Sequence, residues 1–254
     1  IEILIQLKLE KQDCGWRFML GIIGGSGIYS IGKFEEQYVN TPYGFASVHI
    51  GKIMDRECAF IPRHGSSHAF PPHKINYRAN AWAMKQIGVT GVLATYACGA
   101  ISEYSPGDLI AIEDFLGFSA PITFYEDFKE GIRHTNFTRP YSDEMNARLF
   151  SAGRNAGVEI KSGGIVATMP GPRYETPAEI RASRGMGANL VSMTNAYETV
   201  LFHELEILMA GLAIATNYAA GISNRPLSHS EVIEMMEKKE EEVKRVIRNF
   251  ASLI

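Results

Sequence analysis

The chain has 254 residues, of which 46% are hydrophobic and 21% charged, a balance that supplies a core and excludes wholesale disorder. Its 25 Lys and Arg against 28 Asp and Glu give a net charge of −3, without the basic excess that a duplex nucleic-acid binder needs. The most apolar stretch, Ile207 to Thr216, is half the roughly 20 residues a bilayer span requires, so neither nucleic acid nor membrane is an expected partner.

In chain order, residues 1–18 come first. They lack a basic n-region and a small-residue cleavage site, and read as a leader or extension of a domain spanning 19–254, with Met19 at its edge. Strands are predicted at Leu20–Ile23, Val92–Ala97, Leu109–Ile112, Ile165–Met169, Leu190–Met193 and Leu212–Thr216. Most of these are continuous apolar runs rather than alternating ones, as expected for strands covered on both faces. Between them the patterning predicts helices, among them Asn76–Ile87 and Glu198–Ala210. Thr176-Pro-Ala-Glu179 has the spacing of a capping box with proline in the first helical turn. A last helix begins near Ser230, with Val243, Val246, Ile247, Phe250 and Leu253 on one stripe. The whole reads as a single α/β domain with a central mixed or parallel β-sheet flanked by helices. Segment Gly117–Pro140 is irregular and aromatic; it is either a substrate-covering loop or a packed surface loop. The three cysteines, Cys14, Cys58 and Cys98, are far apart and form no C-x-x-C pair, which points to a reducing cytosol rather than a disulfide framework.

Four segments carry chemistry. Gly24-Gly-Ser-Gly27 follows a strand, where backbone N–H groups and the Ser26 hydroxyl can converge on an anion; a plain tight turn is the alternative. Neither G-x-G-x-x-G nor G-x-S-x-G fits, because positions 30 and 28 are Ser30 and Ile28. In Pro62-Arg-His-Gly65, Arg63 offers a planar fork of donors suited to phosphate, with His64 beside it; an ordinary salt-bridged arginine is the alternative. His64, His68 and His73 have no compact metal-ligand spacing, so no metal is expected. In Gly171-Pro-Arg-Tyr-Glu-Thr176, Tyr174 can stack on a flat heterocycle and Glu175 can accept its N–H groups, although a core tyrosine and a solvated glutamate fit as well. Asn217 stands at the carboxyl end of an apolar strand, where open α/β sheets put their ligands, or else caps a turn.

Taken in order, GIIGGSGIY, PRHG…PPHKINYRAN, GPRYETPAEIR, VSMTNAYE and TNYAAG resemble the trimeric purine nucleoside phosphorylase and methylthioadenosine phosphorylase family, from Leu20 to the final helix. The resemblance implies a phosphorylase-type fold and the conversion of purine nucleoside and inorganic phosphate to free base and pentose 1-phosphate. It implies that Ser26, Arg63, His64, the backbone at Ala97 and Thr194 hold phosphate, that Met193 packs on the sugar, and that Tyr174 packs on the base. Asn217 becomes the donor to the leaving purine, and no metal or organic cofactor is needed. A homotrimer, or a hexamer of two trimers, is implied, with a neighbouring subunit closing part of each site through an aromatic residue or His134 of segment 117–140.

Within that resemblance, Glu175 and Asn217 match the branch that takes inosine and guanosine. A 6-oxopurine presents a protonated N1 to a carboxylate and an O6 to an amide donor, whereas adenine presents the opposite pattern. His229 matches the histidine that this branch places near the 5′-hydroxyl. Segment 71–80 is closer to the methylthioadenosine branch, and Asn195-Ala-Tyr197 departs from the usual Thr-Val-Pro, with Tyr197 expected to fill space beside the sugar. A methylthionucleoside phosphorylase, acting on methylthioadenosine or methylthioinosine, is therefore the alternative substrate reading, and a preference for methylthioinosine would reconcile the mixed signals. A binding protein without turnover is a more remote one.

Overall fold

The computed structural model describes residues 19–25, 31–65, 69–129, 131–224 and 226–254; the leader 1–18 and Ser26 lie outside them. Nine strands join in one mixed sheet among the described residues: β1 (Met19–Gly24), β2 (Phe34–Thr41), β3 (Gly44–Ile53), β4 (Arg56–Pro62), β5 (Val89–Ala100), β6 (Leu109–Leu116), β7 (Lys161–Thr168), β8 (Leu190–Ser192) and β9 (Leu208–Tyr218). Five helices accompany them: α1 (Tyr77–Gln86), α2 (Asp143–Ala156), α3 (Pro177–Gly185), α4 (Asn195–Glu204) and α5 (His229–Ser252). The order β2-β3-β4-β1-β5-β8-β7-β6-β9, with β9 returning to pair with β5, closes the last five strands on themselves and leaves the first four as an open wing.

The expected α/β fold with a mixed sheet is what forms, because the central strands are apolar on both faces. In β1, Leu20 and Ile22 join Met145 and Leu149 of α2 and Val246, Ile247 and Phe250 of α5. Ile23 turns the other way, toward Met84 of α1 and Leu201 and Phe202 of α4. β1 runs parallel to both β4 and β5, and β5 runs parallel to β9, so four carboxyl ends converge on one edge of the molecule. That edge holds the site.

Several elements differ from the sequence expectation. The helix placed at Glu198–Ala210 runs instead over Asn195–Glu204. Glu206 takes a φ of +56°, its N–H donates to His203 O and the Ile207 N–H donates to Phe202 O, a Schellman ending built without glycine. The apolar run beyond it is therefore free to enter the sheet as β9. The meander β2–β4 is not predicted by periodicity, because β2 is polar and exposed over most of its length. On α5, Val243, Val246, Ile247 and Phe250 are buried, whereas Leu253 caps the helix and is 36% exposed, outside the stripe.

Candidate active site

A cavity of about 440 Å³ opens where the strand ends converge. Every predicted site residue except Ser26 lines it: Arg63 and His64 after β4, Ala97 on β5, Tyr174 and Glu175 before α3, Met193 and Thr194 after β8, Asn217 on β9, and His229 opening α5.

Arg63 is buried and held on three sides. Its Nε and Nη2 donate to the Glu198 carboxylate at 2.6 and 2.8 Å, and Nη1 donates to Thr95 O at 2.7 Å. Its guanidinium lies 4.7 Å from the centre of the Tyr96 ring, whose hydroxyl donates to Glu198 Oε2 at 2.8 Å. Burial works against the arginine's charge, but the adjoining Glu198 carboxylate outweighs it and holds the guanidinium above its ordinary pKa. Three of the five guanidinium N–H groups are thereby committed. The glycine pair after β1 makes this packing possible. A Cβ on Gly25 would lie 2.5 Å from Arg63 Nη1, and the Gly25 N–H donates to Thr95 Oγ1 at 3.2 Å.

Thr194 stands at the N-cap of α4 without capping it, so its hydroxyl is not spent on the helix. The Ala196 N–H is met by Thr168 Oγ1 at 3.1 Å, which fixes the first turn of α4 behind the cavity-lining Thr194. His64 Nδ1 lies 2.8 Å from Phe70 O; a carbonyl only accepts, so Nδ1 carries the proton. Uncommitted guanidinium N–H groups and a hydroxyl unspent on the helix are donors of the type that oxyanions take.

A second stretch of the wall differs in character. Glu175 is buried immediately before α3, where Thr176 Oγ1 accepts the Glu179 N–H and Glu179 accepts the Thr176 N–H, the expected capping box with Pro177 in the first turn. Burial raises the Glu175 carboxyl pKa. Asn217 is positioned by a bulge, since Cys98 pairs with Ala215 but Gly99 pairs with Asn217, leaving Thr216 as the extra residue. Asn217 Nδ2 donates to Tyr218 O at 2.9 Å, and Oδ1 accepts from Thr216 Oγ1 at 2.8 Å. One amide N–H remains for a ligand. The wall thus offers a carboxylate acceptor and an amide donor. Met193 lies against the 171–172 turn, where Gly171 at φ +59° leaves room that a Cβ would lose, being 2.5 Å from Met193 Sδ.

A model of the phosphorylase superfamily matches residues 19–252. The chain belongs to this superfamily. A probable 6-oxopurine nucleoside phosphorylase from Moorella thermoacetica is 45% identical over 234 residues, 90% of each chain. The 6-oxopurine nucleoside phosphorylase of Pyrococcus furiosus is 43% identical over 238 residues, again 90% of each. A probable S-methyl-5′-thioinosine phosphorylase from Methanopyrus kandleri is 44% identical over 223 residues, 86% of each. Among solved structures, methylthioadenosine phosphorylase from Schistosoma mansoni in complex with adenine superposes with a TM-score of 0.86 at 29% identity, covering 93% of this chain and 91% of that one.

Other expectations are relocated by the structure of this phosphorylase. Tyr197 is not among the cavity-lining residues. It stacks on Tyr77 at 4.9 Å, its hydroxyl donates to Ser119 O, and Tyr77 in turn donates to Pro72 O, so it supports the cavity wall from behind. The described residues of segment 117–140 also lie off the cavity lining within one chain. Thr123 and Phe124 donate to Glu204 at the end of α4, and Phe124 packs on Tyr43 and Trp82. Sequence reasoning missed Glu198 and Tyr96. A glutamate just before the apolar run Val200-Leu-Phe202 was the available signal, since buried carboxylates demand partners.

Proposed function

We propose that this phosphorylase cleaves 6-oxopurine nucleosides, inosine and guanosine in preference to adenosine, by transfer of the pentosyl group to inorganic phosphate. The observation that carries the reading is the placement of Glu175 and Asn217 as buried acceptor and donor in the same cavity as Arg63, His64 and Thr194. Glu175 accepts from the purine N1–H, and the free Asn217 N–H donates to the O6/N7 edge. As the N9–C1′ bond breaks, negative charge grows on the base and positive charge on the sugar. Asn217 stabilises the first, and phosphate, held by Arg63, His64, Thr194 and the backbone at Ala97, stabilises the second and forms the new O–C1′ bond. Positioning and fixed dipoles supply the catalysis, with phosphate as co-substrate and neither metal nor organic cofactor in the step. Hydrogen-bonding sites discriminate strongly against analogues whose polar pattern is reversed, which supports preference over adenine.

His229, which lines the same cavity, is the group for the 5′-hydroxyl. A second reading, phosphorolysis of 5′-methylthioinosine, keeps the same base contacts and is favoured by Phe70, Pro71, Pro72 and Val232, apolar groups lining the same cavity. The family pattern supports a homotrimer or a dimer of trimers working in purine salvage in the cytosol. Phe118 and Ile132, 82% and 75% exposed, provide apolar surface that an assembly would cover. The direct test is base release from inosine with and without phosphate. Release with stoichiometric ribose 1-phosphate is expected; release without phosphate, or none at all, contradicts the reading.

A further inference from the structure

We infer that Glu198 is a positioning residue that sets phosphate affinity through the orientation of Arg63, an inference that rests on reading the cavity as a phosphorolysis site. Glu198 comes from the first turn and a half of α4 and is 5% exposed. Both of its oxygens are used: Oε1 accepts Arg63 Nε, and Oε2 accepts Arg63 Nη2 and the Tyr96 hydroxyl. With Nη1 tied to Thr95 O as well, the guanidinium plane has no rotational freedom left, and one N–H on each terminal nitrogen stays uncommitted. One free N–H on each terminal nitrogen is what the fixed guanidinium keeps for a phosphate oxyanion.

The same arrangement removes most of the arginine's net charge before phosphate arrives, which separates two possible roles by sign. If Glu198 acted only as a counter-charge, removing its charge would leave a bare cation and tighten phosphate binding. If it acts by positioning, removing it frees the guanidinium and weakens binding. The geometry points to the second, since a two-point bond plus the Tyr96 hydroxyl is more than charge neutralisation needs.

The test is titration of inorganic phosphate, without nucleoside, into wild-type enzyme, E198Q and Y96F, followed by initial rates varied in phosphate and in inosine. Y96F keeps the ring and removes only the hydroxyl that anchors Glu198 Oε2, so it remains informative where E198Q fails to fold. Positioning predicts phosphate Kd weakened about tenfold or more in E198Q and about threefold in Y96F, with the inosine KM moving by less than a factor of two or three. Unchanged or tighter phosphate binding in folded E198Q, unchanged binding in Y96F, or equal loss of phosphate and inosine affinity overturns the inference. Wild-type enzyme that binds phosphate but turns over no purine nucleoside overturns the functional reading while the variants still decide the role of Glu198. Wild-type enzyme that binds no phosphate overturns both.

Discussion

Asn217 Nδ2 donates to Tyr218 O at 2.9 Å, and because a carbonyl only accepts, this bond decides which end of the amide is the nitrogen, with Oδ1 left to accept from Thr216 Oγ1 at 2.8 Å. With Oδ1 occupied and one Nδ2 hydrogen on Tyr218 O, the side chain is locked as a donor. The bulge that inserts Thr216 between paired residues brings hydroxyl and amide to the same edge of β9, which on the proposed reading serves base selection.

Replacing Asn217 by Asp tests that lock. The new carboxylate keeps the Thr216 bond but turns its second oxygen toward Tyr218 O and offers the base no donor. Loss of one such donor lowers turnover by about 10²–10³-fold. The kcat/KM ratio of inosine to adenosine should fall by about 10²-fold, measured side by side on the two nucleosides. An unchanged ratio would remove Asn217 from base recognition.

Glu175 gives a pH signature. Burial raises its pKa above the ordinary 4.5, while contact with the purine N1–H needs the ionised form. Inosine KM should therefore rise as pH falls through that raised value, at a higher pH than a solvated glutamate would show. The stability effect has the opposite sense. A carboxyl whose folded-state pKa is raised stabilises the fold fully below its unfolded pKa, and that contribution is lost as pH rises through the folded value. E175Q should thus melt higher than wild type at pH 7–8, with the advantage vanishing below about pH 4.5. A thermal-melt series across pH checks this.

Much of the site was legible because its residues sit in local punctuation. Arg63, His64, Glu175 and Asn217 each follow an apolar run or adjoin a Pro/Gly turn, and the Thr176 capping box announced where α3 starts. Glu198 and Tyr96 were not legible as a unit, because their meeting depends on tertiary packing: Tyr96 and Glu198 are 102 positions apart, and Arg63 and Glu198 are 135. The wing strands β2 and β3 escaped notice for a different reason. Their exposed face carries Tyr38 and Phe45 among polar groups, so the apolar alternation that betrays a half-buried strand is weak. The end of α4 was misplaced because a glutamate rather than a glycine adopts the left-handed turn.

The buried ion pair makes a stability prediction independent of substrate. Arg63→Ala strands the Glu198 carboxylate in the interior and should cost about 3–5 kcal/mol. Replacing both partners at once, R63M with E198L, should recover most of that loss while abolishing phosphate binding. Urea unfolding midpoints with unchanged slopes are the measurement. A double variant no more stable than the single one would contradict it.

Gly25 makes the complementary point about space. An added methyl would sit 2.5 Å from Arg63 Nη1 and 3.0 Å from Thr95 O, so the guanidinium or the backbone has to yield. Gly25→Ala should lower stability by about 1–3 kcal/mol. It should raise the phosphate KM while leaving the inosine KM nearly unchanged, as initial rates varied in each substrate will show.

The central claim is that Glu175 and Asn217 select a 6-oxopurine. It is tested most directly by ranking kcat/KM for phosphate-dependent cleavage of inosine, guanosine, adenosine, methylthioadenosine and methylthioinosine. The account predicts that the 6-oxopurine nucleosides stand well above both adenine nucleosides, with inosine and guanosine leading if His229 reads the 5′-hydroxyl. A lead for methylthioinosine would keep the base contacts and discard that role for His229. Dominant cleavage of methylthioadenosine or adenosine would contradict the claim itself.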